Sequence, residues 1–233
     1  MSHEHTSLDG WLASPVGAAF REAECQAVST ELGRLFGAHF LQVGRWGAPD
    51  TFLGTPAMAR RALCDSQPGP GVSFLAQPER LPIPNNSIDG LLLAHTVEQS
   101  RYPHEVLREA ERVLTGGGRL MLLGFNPTSL VGLRRYVAGG NYPPGLEQLV
   151  SVRRLRDWLS LLGFDVTVAG RYYTALPHAS SVGERLRRLP FAWGAYMILA
   201  VKRVYNIRPL RPRWRAQAKV AGRLVEPSTR TPV

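Results

Sequence analysis

One stretch restricts the fold more than any other part of the chain. The run IDGLLLAH, residues 88–95, is continuously apolar, the pattern of a strand covered on both faces. After a short break, PHEVLREAERVL, residues 103–114, places Val106, Leu107, Ala110, Val113 and Leu114 on one side of a helix. Gly116, Gly117 and Gly118 should stop that helix, and RLMLLGF, residues 119–125, returns to a strand. Two strands joined through a helix lie parallel and connect by a right-handed crossover. The stretch therefore predicts an α/β fold with a parallel sheet.

The flanking sequence extends the same pattern. Ser14-Pro15 opens a helix with Phe20, Ala23, Ala27, Leu32 and Phe36 at helical spacing. HFLQVG (39–44) reads as the first strand, with ARRALCD (59–65) and GVSFLA (71–76) as the second and third. Pro68, Gly69, Pro70 and Gly71 leave no room for a helix between those last two. Further on, Ser151 caps a helix whose apolar side is Val152, Leu155, Trp158, Leu159 and Leu162, ended by Gly163. DVTVAGRYYTAL (165–176) and GAYMILAVKRVY (194–205) supply two closing strands.

With 233 residues, 44% of them hydrophobic, the chain can bury one full core without metal or disulfide. Cys25 and Cys64 stand far apart, outside any metal-ligand spacing, and no metal is expected. His3 and His5 read as part of a solvated terminus. The N-terminal residues lack a basic-then-apolar leader, and the longest apolar run, FAWGAYMILAV (191–201), is too short to span a bilayer, so a cytoplasmic protein is expected. Charge is lopsided. Residues 183–233 hold 12 of the 28 Lys+Arg and 2 of the 18 Asp+Glu, while the rest of the chain, with 16 of each, is neutral. We expect a domain over residues 1–205 and a basic, proline-containing tail over 206–233. Arginines interleaved with Tyr205 and Trp214 suit RNA or an anionic membrane surface, or serve only solubility.

The stretch LPIPNNSIDGLLLAHTVEQSRYPHEVLREAERVLTGGGRL resembles the class I S-adenosylmethionine-dependent methyltransferases of the type 11 family. Leu81, Pro82, Asp89, His95, Glu98, Arg112, Val113, Leu114, Gly117 and Gly118 stand at the family's positions. Gln99 replaces a usual histidine and Gly116 a usual proline. WLASPVG, LQVG and GFNPTSLVGLRR are similar to a bacterial subgroup of methyltransferase-like proteins with an altered cofactor loop. The resemblance implies a Rossmann-like, seven-stranded, mostly parallel sheet flanked by helices, with one antiparallel strand near an edge. It also implies S-adenosylmethionine as cofactor, held at the ends of the first strands.

In the family an acidic residue precedes a Gly-x-Gly-x-Gly loop. Here Gln42 takes the place of the acid, Gly44 keeps the first glycine, Trp46 replaces the second and Ala48 the third, with Gly47 able to shift the turn. Asp65 is placed to pair the ribose hydroxyls, with Asp50 as fallback, and Gln77 to read the adenine amino group. Trp46 reads equally as a packed aromatic or a cofactor contact.

The family's chemistry is in-line displacement at a sulfonium methyl, which chiefly requires alignment. The resemblance brings His95, Thr96, Glu98 and Asn126 to the strand ends facing the cofactor. His95 and Glu98 are the catalytic candidates: His95 as a base, or as a strand cap, and Glu98 to orient it or to cap the loop before Pro103. Tyr136, Tyr142, Tyr172, Tyr173 and His178 fall in segments that in the family form the lid over the substrate, and Asn126 joins them at its edge. Aromatics there favour a small or lipophilic acceptor, or are simple packing. Two functions follow: methyl transfer to such an acceptor, or a catalytically silent methyltransferase fold that binds RNA, a membrane surface or a protein through its basic C-terminus. A nicotinamide-dependent oxidoreductase is disfavoured, because no Gly-x-Gly-x-x-Gly follows the first strand.

Overall fold

A computed structural model of the chain describes residues 8–33, 37–48, 50–54, 60–137, 142–172 and 194–204. Its seven strands are β1 (His39–Val43), β2 (Arg60–Asp65), β3 (Phe74–Leu75), β4 (Ile88–Ala94), β5 (Leu114–Phe125), β6 (Phe164–Tyr172) and β7 (Ala195–Lys202). They form one sheet in the order β3-β2-β1-β4-β5-β7-β6. All neighbours up to β5 are parallel, while β7 runs antiparallel to both β5 and β6. This is the Rossmann-like, mostly parallel sheet that the resemblance implied, with the one reversed strand beside the edge.

Local chemistry accounts for the elements. Ser14 caps α2 (Pro15–Leu32), its hydroxyl accepting from Gly17 N, and Pro15 occupies the first turn, where no N–H is needed. Ser151 caps α7 (Val152–Leu161) by accepting from Arg154 N. Along β4, Leu91 and Leu93 face one side and Leu92 and Ala94 the other, as a strand's alternation demands. One side packs on α5 (Pro103–Val113) and α7 through Val106, Leu107, Leu155 and Leu159. The other packs on α1 (Leu8–Ala13) and α2 through Trp11, Phe20, Val28 and Leu32.

Three local expectations change. The third strand shrinks to Phe74–Leu75, because Gly71 at φ 74° still belongs to the preceding turn. The helix before the glycine triplet ends at Val113, and Leu114 is already extended, so Gly116–Gly118 lie inside β5 rather than beyond the helix as a stop. On α2 the fully buried row is Phe20, Glu24, Val28 and Leu32, four residues apart, so an acidic side chain stands in the row expected to be apolar. Phe36 lies outside the described residues.

Several residues that carry the family resemblance act as structural ties. Asp89 accepts from Ala38 N and His39 N at 2.8 and 3.0 Å, fixing the start of β1. Arg112 donates to the carbonyls of Ile83 and Leu81, to Asn85 Oδ1 and to Glu109, pinning the turn that leads into β4.

Candidate functional site

Strand order reverses between β1 and β4, and open α/β sheets bind ligands in the crevice at that point. A cleft of about 790 Å³ lies there. Gly44 and Thr96 form its inner wall, Asp65 and Gln77 follow from the ends of β2 and β3, and Gln99 and Tyr102 close the far side. Gly44 has φ 89°, and a Cβ there would lie 2.6 Å from Thr96 Oγ1, so only glycine lets the chain leave β1 at this angle. Thr96 in turn donates to Val43 O and ties β4 to the same turn.

Asp65 presents its carboxylate into this cleft. Oδ2 accepts from Arg45 N at 2.7 Å and Oδ1 from Gln67 N at 2.9 Å. A carboxylate has about four acceptor positions, so each oxygen keeps capacity for a ligand hydroxyl. The Arg45 side chain turns outward to Asp9, 3.2 Å away. Gln77 is exposed at the cleft rim. The amide nitrogen of Gln99 is buried and has no hydrogen-bond partner, a donor suited to an acceptor placed in the cleft.

Behind the inner wall lies a second arrangement, closed to solvent. Trp46 is 0% exposed and stacks on His95 with ring centroids 4.0 Å apart. Its indole N–H donates to Glu24 Oε2 at 2.7 Å. His95, also 0% exposed, has Nε2 at 2.9 Å from Glu24 Oε1 and Nδ1 at 2.8 Å from Glu98 Oε2. Glu98 Oε1 accepts from Phe125 N, and the Phe125 ring lies 4.3 Å from the imidazole. The indole therefore points away from the cleft and into the core shared with Trp11, Phe20 and Phe125.

Burial works against an imidazolium here, but the charges and hydrogen bonds of Glu24 and Glu98 outweigh it and push His95 up to about 9. Burial also raises the Glu98 carboxyl above the ordinary range, against the pull of His95 and the Phe125 and Val150 backbone. A histidine raised in the folded state stabilises it fully below its unfolded value, about 6.5, and loses that contribution as pH climbs through about 9. Chemical denaturation between pH 6.5 and 9.5 is expected to show stability falling by on the order of 3 kcal/mol, and His95→Asn is expected to flatten that slope.

The cleft gathers Gly44, Asp65 and Gln77. The closed cluster gathers Trp46, His95 and Glu98, and it adds Glu24, which had no place in the sequence reading. A charged residue at the fourth position after Phe20 and before Val28 was its one signal. Gln42 is 2% exposed and donates to Gly44 O, bracing the turn from beneath. Gly47, with φ 79°, faces α2, where a Cβ would come within 2.8 Å of Arg21 Cδ. Asn126 accepts from Thr128 N and hydroxyl, shaping the turn into α6 (Leu130–Val137). Tyr136 is 86% exposed on that helix. Tyr172 ends β6. Tyr173, His178 and the tail from residue 206 lie outside the described residues, and Asp50 begins the short helix α3 (Asp50–Leu53).

A methyltransferase domain family, type 11, matches residues 49–122. Over 197 residues, 84% of this chain and 81% of the relative, the sequence is 34% identical to the uncharacterised protein YafS of Escherichia coli K12. The chain belongs to the same family as YafS. A shorter stretch of 81 residues is 36% identical to the ubiquinone/menaquinone biosynthesis C-methyltransferase UbiE of Hahella chejuensis, covering 34% of this chain and 32% of that enzyme. Among solved structures, a SAM-dependent methyltransferase of Thermotoga maritima superposes with a TM-score of 0.60 at 18% identity, over 83% of this chain and 93% of that one. This last likeness concerns the fold.

The two halves of S-adenosylmethionine, the cofactor that the resemblance implies, would meet different surroundings. A cleft with a carboxylate at the end of β2, an amide side chain after β3 and the unpartnered Gln99 donor fits an adenosyl group. On the side of the loop after β1, Trp46, His95 and Glu24 are each 0% exposed and form a closed cluster.

Proposed function

We propose that this chain binds S-adenosylmethionine, or its demethylated product S-adenosylhomocysteine, through the adenosyl group in the Gly44–Asp65–Gln77 cleft. The cleft's position at the strand-order reversal, with Asp65 presenting its carboxylate there, carries this reading. Asp65 would hold the ribose hydroxyls, Gln77 and Gln99 the base. Calorimetric titration with S-adenosylhomocysteine tests it. We expect saturable one-to-one binding that weakens at least tenfold in Asp65→Ala. No saturable binding up to millimolar ligand contradicts it.

When bound, S-adenosylmethionine supplies an electrophilic methyl group. Transfer to a small or lipophilic acceptor is the activity the family implies, and the stretch shared with UbiE, named for ubiquinone and menaquinone, favours the lipophilic kind. His95 and Glu98 are engaged with each other and closed to solvent, so this chain's part in transfer would be to bind and align. That restricts the acceptor to one already ionised or unprotonated at its nucleophilic atom.

The same closed cluster favours a second reading, a catalytically silent family member acting through its basic C-terminus on RNA, an anionic membrane surface or a protein. The two readings separate by experiment. Labelled methyl transfer to a lipophilic acceptor supports the first. RNA or anionic-vesicle binding that is lost when the chain is cut after Tyr205 supports the second.

A further inference from the structure

We infer that the cleft is an adenine-nucleoside site that does not recognise the amino-acid tail of S-adenosylmethionine. This rests on the adenosyl-binding reading above and narrows what the cleft reads to the adenine and ribose, with a 5′ substituent adding no affinity and a 5′ phosphate weakening binding.

The first observation is the state of the loop after β1. A tail extending from a ribose held at Asp65 passes this loop, because Arg45 N is itself bonded to Asp65. Three of the loop's donors are already engaged. Gly44 N donates to Cys64 O at 3.0 Å, Arg45 N to Asp65 Oδ2, and the Trp46 indole N–H to Glu24 Oε2. Behind them Trp46, Glu24 and His95 are each 0% exposed, so the core on that side is closed to a methionyl group. A tail that turns to solvent instead makes no contact and adds no affinity.

The second observation is charge. Asp65, Glu79, Glu105 and Glu147 line the cleft against two arginines, Arg80 and Arg101. Arg101 lies 3.4 Å from Glu147, which partly satisfies it. Such a wall disfavours carboxylate or phosphate on the ligand and tolerates a neutral or cationic 5′ group.

The test compares adenosine, 5′-methylthioadenosine, S-adenosylhomocysteine and AMP by calorimetry on the full-length protein at low salt. We expect adenosine and 5′-methylthioadenosine to bind within tenfold of S-adenosylhomocysteine, and AMP more than tenfold weaker than adenosine. S-adenosylhomocysteine binding more than tenfold tighter than adenosine, or AMP binding as well as adenosine, overturns the inference while leaving the adenosyl site standing. Failure of every nucleoside to bind overturns the adenosyl site itself. Trp46→Gly, with its fold checked by circular dichroism, adds a further arm. Opening space beside Gly44 should tighten S-adenosylhomocysteine at least threefold relative to adenosine, and an unchanged ratio in the folded variant contradicts the closed-wall account. Should that variant fail to fold, the wild-type comparison alone decides.

Discussion

Glu24→Ala is expected to lower the unfolding free energy by about 3–5 kcal/mol, the cost typical of removing one partner from a buried charged pair. One carboxylate serves two donors here, the Trp46 indole N–H through Oε2 and the His95 ring through Oε1, both at 0% exposure. Its removal leaves an indole N–H without an acceptor and an imidazole balanced by Glu98 alone. Glu24→Gln keeps an acceptor for one of those donors but not both, so it should fall between wild type and alanine. Chemical denaturation of the three proteins checks the order. A loss below about 1 kcal/mol for alanine, the range of exposed pairs, would mean that the carboxylate is hydrated in solution.

Trp46→Ala is expected to cost a similar amount, about 3–5 kcal/mol, as for other large-to-small changes in a packed core. The indole stacks on His95 and packs near Trp11 and Phe125, with ring centroids 6.3 and 6.0 Å away. Trp46→Phe separates packing from the hydrogen bond. It preserves an aromatic face against the imidazole but leaves Glu24 Oε2 without its donor, at a cost of about 1–3 kcal/mol. Because Glu24 and Trp46 share that bond, the two alanine replacements together should cost less than the sum of each alone. Strict additivity would show that the indole and the carboxylate do not interact.

These effects bear on what the amino-acid sequence discloses. The sheet was legible, because its strands are apolar runs bounded by Gly, Pro and Asn, and the β4-α5-β5 unit has a connection of one hand only. The family resemblance placed Asp65 and Gln77 at strand ends, Asp65 also by its distance along the chain from Gly47, and both line the cleft. The direction of Trp46 was not legible. It depends on Glu24, 22 residues earlier on a helix that read as amphipathic with an apolar row of Phe20, Ala23 and Ala27. One acidic residue among alanines and glutamates carries no mark of burial until the helix is packed. His95 and Glu98 read as catalytic because the family's motif places them at a strand end. Motif position does not disclose that both ring nitrogens of the histidine face carboxylates, since one of those carboxylates comes from a distant helix. The third strand was over-extended because Gly71, which begins GVSFLA, still belongs to the turn.

An open cleft stands in front of a closed cluster, and a crystal structure of the full-length protein with adenosine separates the two. The nucleoside is expected among Gly44, Asp65, Gln77 and Gln99, with the Trp46 indole still stacked on His95 and bonded to Glu24. A nucleoside bound elsewhere, or an indole swung out of the core to contact it, would contradict this arrangement.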